Sequence, residues 1–144
     1  YKQLQIRGIA RSTRLASNSY LMFQVNSDTG NNYANHGLYG NGTSAGSYAV
    51  TTTNHALEAF VPSTVDTASA FGGLVVDILD YQNTSKYKTF RGLTGADINS
   101  ANSQFRYSSG VWLNTNAITS ITIVDGNGAN LEQYSSFALY GIKG

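Results

Sequence analysis

The most restrictive feature of this sequence is its period. Apolar side chains recur at every second position in about ten short stretches, and nowhere do they sustain the 3.6-residue spacing of a helix. The stretches are 2 to 10, 20 to 26, 33 to 40, 47 to 53, 56 to 61, 73 to 80, 86 to 93, 104 to 113, 118 to 124 and 134 to 142, separated by Gly, Asn, Ser and Thr. A chain written this way must pair its strands in sheets, and short strands divided by turn formers predict an all-β antiparallel sandwich. Eight to ten strands suit a jelly roll, in one domain spanning residues 1–144. The sole proline, Pro62, falls at the end of a stretch, where it interrupts no ladder.

Both ends belong to this pattern. "YKQLQIRGIA" sets Leu4 and Ile6 against Gln3, Gln5 and Arg7, and "SSFALYGIKG" sets Phe137 and Leu139 against Ala138, Tyr140 and Ile142. The first parity of the last stretch is expected in the core with Leu4, Ile6, Leu21, Phe23, Val76, Ile121 and Ile123. The other, Ala138, Tyr140 and Ile142, then faces outward and is apolar where a free sandwich shows water a polar face. That makes it the expected subunit contact of a homo-oligomer. The parity shift between Ile6 and Ile9 predicts a bulge at Gly8. "VDGNGAN" predicts a hairpin-like turn at Gly126 and Gly128, and Gly37 to Ser47 reads as a long exposed loop. The only methionine is Met22, so Tyr1 is expected to follow a segment removed or not included.

Composition narrows the function. A chain of 144 residues buries roughly 68 to 70% of its unfolded surface, enough to fold without cross-links. It has no cysteine, which excludes thiolate metal sites and thiol catalysis. Charged residues are 12% of the chain and net charge is +1. Arg7, Arg11 and Arg14 are too sparse for a phosphate-binding face, so no nucleic acid is expected, and no apolar run is long enough for a membrane-spanning helix.

Reactive motifs give way to plainer readings. "GTSAG" matches a nucleophile elbow at Ser44, but no helix follows and neither His36 nor His55 completes a triad. "NSDTGNN" alternates oxygen ligands at Asn26, Asp28 and Asn32 around Gly30, yet lacks the closing acid of a calcium loop. A structural turn, with Asn26 and Asp28 bonding their own backbone, fits better. Glu58, Asp77, Asp80 and Asp97 could supply a glycosidase pair, but structural roles suffice for each. No catalytic, cofactor-binding or metal residue is therefore expected, and the chain is read as a non-enzyme. The ten tyrosines are the richest signal. Tyr87, Tyr107 and Trp112 are expected to pack within strands. Tyr33, Tyr39 and Tyr48 flank the Gly-rich region as a contact loop, the platform of a carbohydrate-binding module in the second reading and a means of touching a host-surface glycan.

The stretches "YKQLQIRGIARSTR", "FQVNSDTGNNYANHGLYG", "VVDILDYQNTSKYKTFRGLTG", "VWLNTNAITSITI" and "YSSFALYGIKG" resemble a family of tailed-bacteriophage virion structural proteins whose members end in a sequence like "LYGIKG". The resemblance runs along the whole chain. It implies a jelly-roll component of the phage particle, most naturally a capsid decoration (cement) protein, with a tail or tail-fibre module as the alternative. It also implies a homo-oligomer, a trimer for preference, with a major capsid or tail protein as partner and no catalytic residues.

Overall fold

The computed structural model describes residues 1–144 and contains ten strands. They are β1 (Gln3–Ala10), β2 (Ser19–Val25), β3 (Tyr33–Gly40), β4 (Ala45–Thr53), β5 (Glu58–Val61), β6 (Gly72–Leu79), β7 (Lys88–Ala96), β8 (Gln104–Trp112), β9 (Ile121–Asp125) and β10 (Ser136–Ile142). Each falls on one of the alternating stretches, with ends displaced by up to three residues. The largest departure is Gly37 to Ser47. It is not a loop but the facing arms of a β3–β4 hairpin, closed by Asn41, whose side-chain oxygen accepts from the backbone N–H groups of Thr43 and Ser44 at 3.1 and 2.8 Å.

The strands form two antiparallel sheets of unequal size. One has seven strands in the order β10-β1-β6-β7-β8-β3-β4, and the other three in the order β5-β2-β9. Three pairs are nested along the chain, β1 with β10, β2 with β9 and β3 with β8, the middle pair lying in the smaller sheet. The sheets meet over a core of Ile6, Leu21, Phe23, Val76, Ile78, Phe90 and Trp112, all nearly or wholly buried. Each such aliphatic or aromatic side chain contributes about 1.5 to 3 kcal/mol when removed from water.

The inequality of the sheets corrects one core assignment. Phe137 packs against the core as expected, but Leu139 is 59% exposed, although it sits on the same face. β9 is only five residues long and ends the smaller sheet, so the seven-stranded sheet overhangs it. Leu139 lies beside an apolar notch of about 180 Å³ between the layers, lined also by Ile6, Ile121 and Ile123.

Gly8 is not a bulge either. β1 pairs with β10 and with β6 in unbroken register, and the parity does not shift: Ile9 points outward. Glycine is required there because the Phe137 ring lies across it. An added Cβ would sit 2.6 Å from that ring and 2.7 Å from the Ser136 carbonyl oxygen. The one register shift near a strand end falls instead between Tyr33 and Asn35. The Gly126 to Gly128 turn does not make a hairpin, because β9 pairs with β2 and the chain then crosses to the other sheet to form β10. Of its two glycines only Gly128 has a positive φ, 76°.

Polar pins complete the sandwich. The Arg11 guanidinium donates to the carbonyls of Thr67 and Ala70 at 2.8 Å and of Asp66 at 3.1 Å, fastening the connection between β5 and β6. Lys88 is fully buried, and its Nζ donates to the carbonyls of Lys86 and Thr115. Burial pushes its pKa down. Asp125, at the end of β9, accepts from both Ser12 and Ser19 at 2.6 Å.

Candidate interaction surface

A sheet seven strands wide has two faces, and here the smaller sheet covers only one. The outer face is read off the register. Across all seven strands Ser47, Leu38, Tyr107, Leu93, Val75, Arg7 and Ala138 stand in one row. A second row runs Ala45, Gly40, Phe105, Gly95, Gly73, Ile9, Ser136. A third runs Ala49, His36, Ser109, Arg91, Asp77, Gln5, Tyr140. Period-two alternation guarantees that these side chains share a face.

Two of the rows are apolar and open. Leu38, Leu93, Phe105 and Tyr107 are each more than half exposed, and Ile9 and Val75, with Tyr140 of the third row beside them, between about a third and a half. Tyr107 is therefore not packed within the fold as its place in a strand suggested, and Tyr87 is exposed just before β7. Between these side chains runs a shallow groove of about 1000 Å³, bounded by Ile9, Val75, Leu93, Phe105 and Tyr140. Its depth comes from Gly73 and Gly95, which place backbone where the neighbouring strands carry side chains. A Cβ on Gly73 would meet nothing within 4 Å.

The third row is polar but internally satisfied. Gln5 donates to Asp77 at 2.8 Å, Arg91 Nε donates to the other Asp77 oxygen at 2.8 Å, and Arg7 Nε donates to Gln5 at 2.6 Å. Partial burial raises the Asp77 pKa, but Gln5 and Arg91 outweigh it and leave the pKa below the ordinary value. The Arg7 guanidinium also lies 5.3 Å from the centre of the Tyr140 ring. A partner covering this face meets a carboxylate already bonded to its neighbours.

The outward row Ala138, Tyr140 and Ile142 is exposed as expected and forms one margin of this face. What the sequence reading missed is the rest of it, on β6, β7, β8 and β3. Alternation in Val75, Leu93, Phe105 and Tyr107 marks two faces but does not say which is covered.

The contact-loop reading of the tyrosines is corrected. Tyr33 is fully buried, stacked on Trp112 with ring centres 6.4 Å apart, and its hydroxyl donates to the Asp28 carbonyl at 2.9 Å. It stands at the start of β3, on the inner parity, so the core takes it. Tyr39 and Tyr48 lie in β3 and β4 and are half-buried on the inner face.

The turn reading holds for Asp28, which accepts from the Gly30 N–H at 3.0 Å and from the Asn32 amide. Its second oxygen accepts from Trp112 Nε1 at 2.7 Å, and that bond is the first cause holding its pKa below the ordinary value. Asn26 does not bond its own turn. It reaches across to the Ala117 carbonyl and the N–H groups of Thr119 and Ser120.

The other chemical candidates are scattered. Ser44 sits in the β3–β4 turn with its hydroxyl on Asn41. His36 belongs to the outer face and His55 to the inner side, beside Glu58. Asp77 and Glu58 stand on opposite faces of the large sheet, Asp80 pairs with Lys86 at 2.8 Å, and Asp97 accepts from the Asn99 N–H. Neither protein-family models, nor curated proteins, nor solved structures give a significant match to this chain.

Proposed function

We propose that this chain is a structural protein of a tailed-phage particle that works by assembly and without catalysis. In this reading it is a capsid decoration protein that associates with copies of itself, as a trimer, and with the particle through the outer face of its seven-stranded sheet. The observation that carries the reading is that face: a groove and two open apolar rows beside a polar row whose Gln5, Asp77 and Arg91 bond one another.

Size is in keeping with this use. Six strand spacings and four rows of side chains, the fourth running Ala34, Val111, Thr89, Leu79, Gln3, Ile142, span about 29 by 20 Å, or ~600 Å² before the relief of side chains is counted. A stable complex buries on the order of 800 Å² per partner. A net charge of +1 opposes neither self-association nor docking. The nested pairs β1/β10, β2/β9 and β3/β8 support a jelly-roll origin, with β6 and β7 inserted between β1 and β8. The full-length resemblance to virion proteins supplies the setting and the preference for a trimer. A tail or fibre module is the second reading, and copy number separates the two: hundreds per particle for decoration, a few to dozens for a tail.

Tyr140 tests the face directly. It borders the groove at 46% exposure, so a Tyr140→Lys chain keeps its fold while placing a second positive charge beside Arg7. The expected result is an unchanged β circular-dichroism spectrum with loss of binding to particles lacking the protein. Binding equal to wild type would remove the outer face from the account.

A further inference from the structure

The opposite side of the same sheet carries a different arrangement. The edge strand β5 of the smaller sheet packs on β6, β7 and β8, and the inner side of β3 and β4 continues past it. On that extension Tyr48 projects from β4 and crosses Gly37 of β3, and its hydroxyl meets Ser108 Oγ of β8 at 3.0 Å. A ring that spans two strand spacings in this way lies flat along the sheet. Tyr39 projects the other way, from β3 onto Gly46 of β4, so closely that a Cβ there would sit 2.5 Å from its ring. Glycine on each partner strand is what lets both rings lie down. The result is a fixed aromatic floor.

The Arg106 guanidinium lies over one margin of this floor, in cation–π range of both rings. Its central carbon is 5.4 Å from the Tyr48 ring centre, 5.9 Å from Tyr39 and 4.2 Å from Tyr20. Nη1 donates to Glu58 at 2.8 Å and Nε to Gln104 at 2.7 Å, which leaves Nη2 without a protein partner but with some solvent contact, on a side chain that is 10% exposed. Glu58 also lies 3.3 Å from His55 Nε2, a contact long and poorly aligned for a hydrogen bond. At this margin are thus a guanidinium nitrogen without a protein partner, an amide and a carboxylate, all planar groups held by their mutual hydrogen bonds.

We infer that this ledge binds a neutral oligosaccharide built of β-linked pyranose rings with equatorial hydroxyls. Such a ring has a flat C–H face that packs on an aromatic floor, and rim hydroxyls that pair with Arg106 Nη2, Gln104 and Glu58. The charge balance selects against other ligands. Glu58 neutralises Arg106, so neither an anion nor a cation finds a net charge to bind. A nucleic acid needs clustered basic groups for its phosphates, and this chain has a net charge of only +1. The inference is independent of the assembly reading, since ledge and groove lie on opposite faces of the sheet.

The test is a ¹H–¹⁵N NMR titration of the whole chain with cellohexaose and chitohexaose to about 10 mM, above the Kd of even a millimolar site. Maltohexaose, whose α-linkages curl the chain off a flat floor, serves as contrast. Saturable shifts should cluster at Tyr39, Tyr48, Gln104 and Arg106 with at least one β-linked sugar. They should weaken about tenfold in both Tyr39→Ala and Gln104→Ala, a change of about 1.4 kcal/mol, while Tyr140→Lys binds as wild type. No shift with either β-linked sugar, shifts confined to the outer face, or affinity unchanged in both ledge variants would overturn the inference.

Discussion

Alanine in place of Gly110 should cost this protein a large share of its stability. Gly110 lies on the inner face of β8 between Asn35 of β3 and Phe90 of β7, and an added Cβ would land on the Ala56 carbonyl. The segment carrying Ala56 and Leu57 into β5 would have to lift away. Both residues are fully buried, and both exchange backbone hydrogen bonds with Phe23 in the centre of the smaller sheet. Exposing Leu57 costs about 1.5 to 3 kcal/mol. Losing the two hydrogen bonds adds about 0.5 to 1.5 kcal/mol each. Against a total of roughly 5 to 15 kcal/mol that is severe. The melting temperature of Gly110→Ala should fall by about 5 to 25 °C. Gly73→Ala is the control, since its methyl meets nothing within 4 Å, and it should melt at or above wild type. Equal melting of Gly110→Ala and wild type would show that the two layers are not seated as described.

Asp125→Ala should be the next most damaging change, and its effect should depend on pH. One carboxylate oxygen takes the hydroxyls of Ser12 and Ser19, and the other takes the N–H of Asn127 at 2.8 Å. Both serines are fully buried, so removing the acceptor strands two hydroxyls at roughly 1 to 3 kcal/mol each. Burial alone would raise the Asp125 pKa. The donors from Ser12, Ser19 and Asn127 outweigh it and leave the pKa below the ordinary carboxylate value. A depressed folded-state pKa gives stability that is complete above the unfolded value of about 4 and is lost as pH falls through the folded value. In urea, Asp125→Ala should therefore fall far below wild type at pH 7, and the gap should narrow at pH 3. A gap that stays constant between those pH values would mean that the charge contributes nothing.

Most of the strands could be read in advance because alternation is a local property. Each stretch from Gln3 to Ile142 carries its own period of two, and so do both termini. Which face is covered is not local. Phe137 and Leu139 share a parity, yet one packs and the other is exposed, because the smaller sheet ends at β9. Tyr107 and Trp112 lie on the same strand with opposite fates for the complementary reason: their parities differ, and only one side of β8 has a layer over it. The outward row at Ala138, Tyr140 and Ile142 was legible because it stood beside a recognisable core parity. The apolar stretch "GLVVDILD" hid Val75 among neighbours that all look like core. Glycines were misread for a similar reason. Gly8, Gly37 and Gly46 look like bulge or loop signals in sequence, but each accommodates an aromatic ring from the next strand, a pairing fixed by contacts 7 or more residues away. The roles of Asp125 and Arg11 were not legible because their partners come from distant segments.

The claim that the outer face of the large sheet is a self-association contact is tested most directly by sedimentation velocity of the wild-type and Gly73→Glu chains at tens of micromolar. Gly73 has open space above it and no positive φ, so a glutamate there leaves the fold intact and puts a charge in the groove. The account predicts that wild type sediments as an oligomer and Gly73→Glu as a 15.4 kDa monomer with the same β circular-dichroism spectrum. A wild-type monomer, or a Gly73→Glu chain that still assembles, would contradict it.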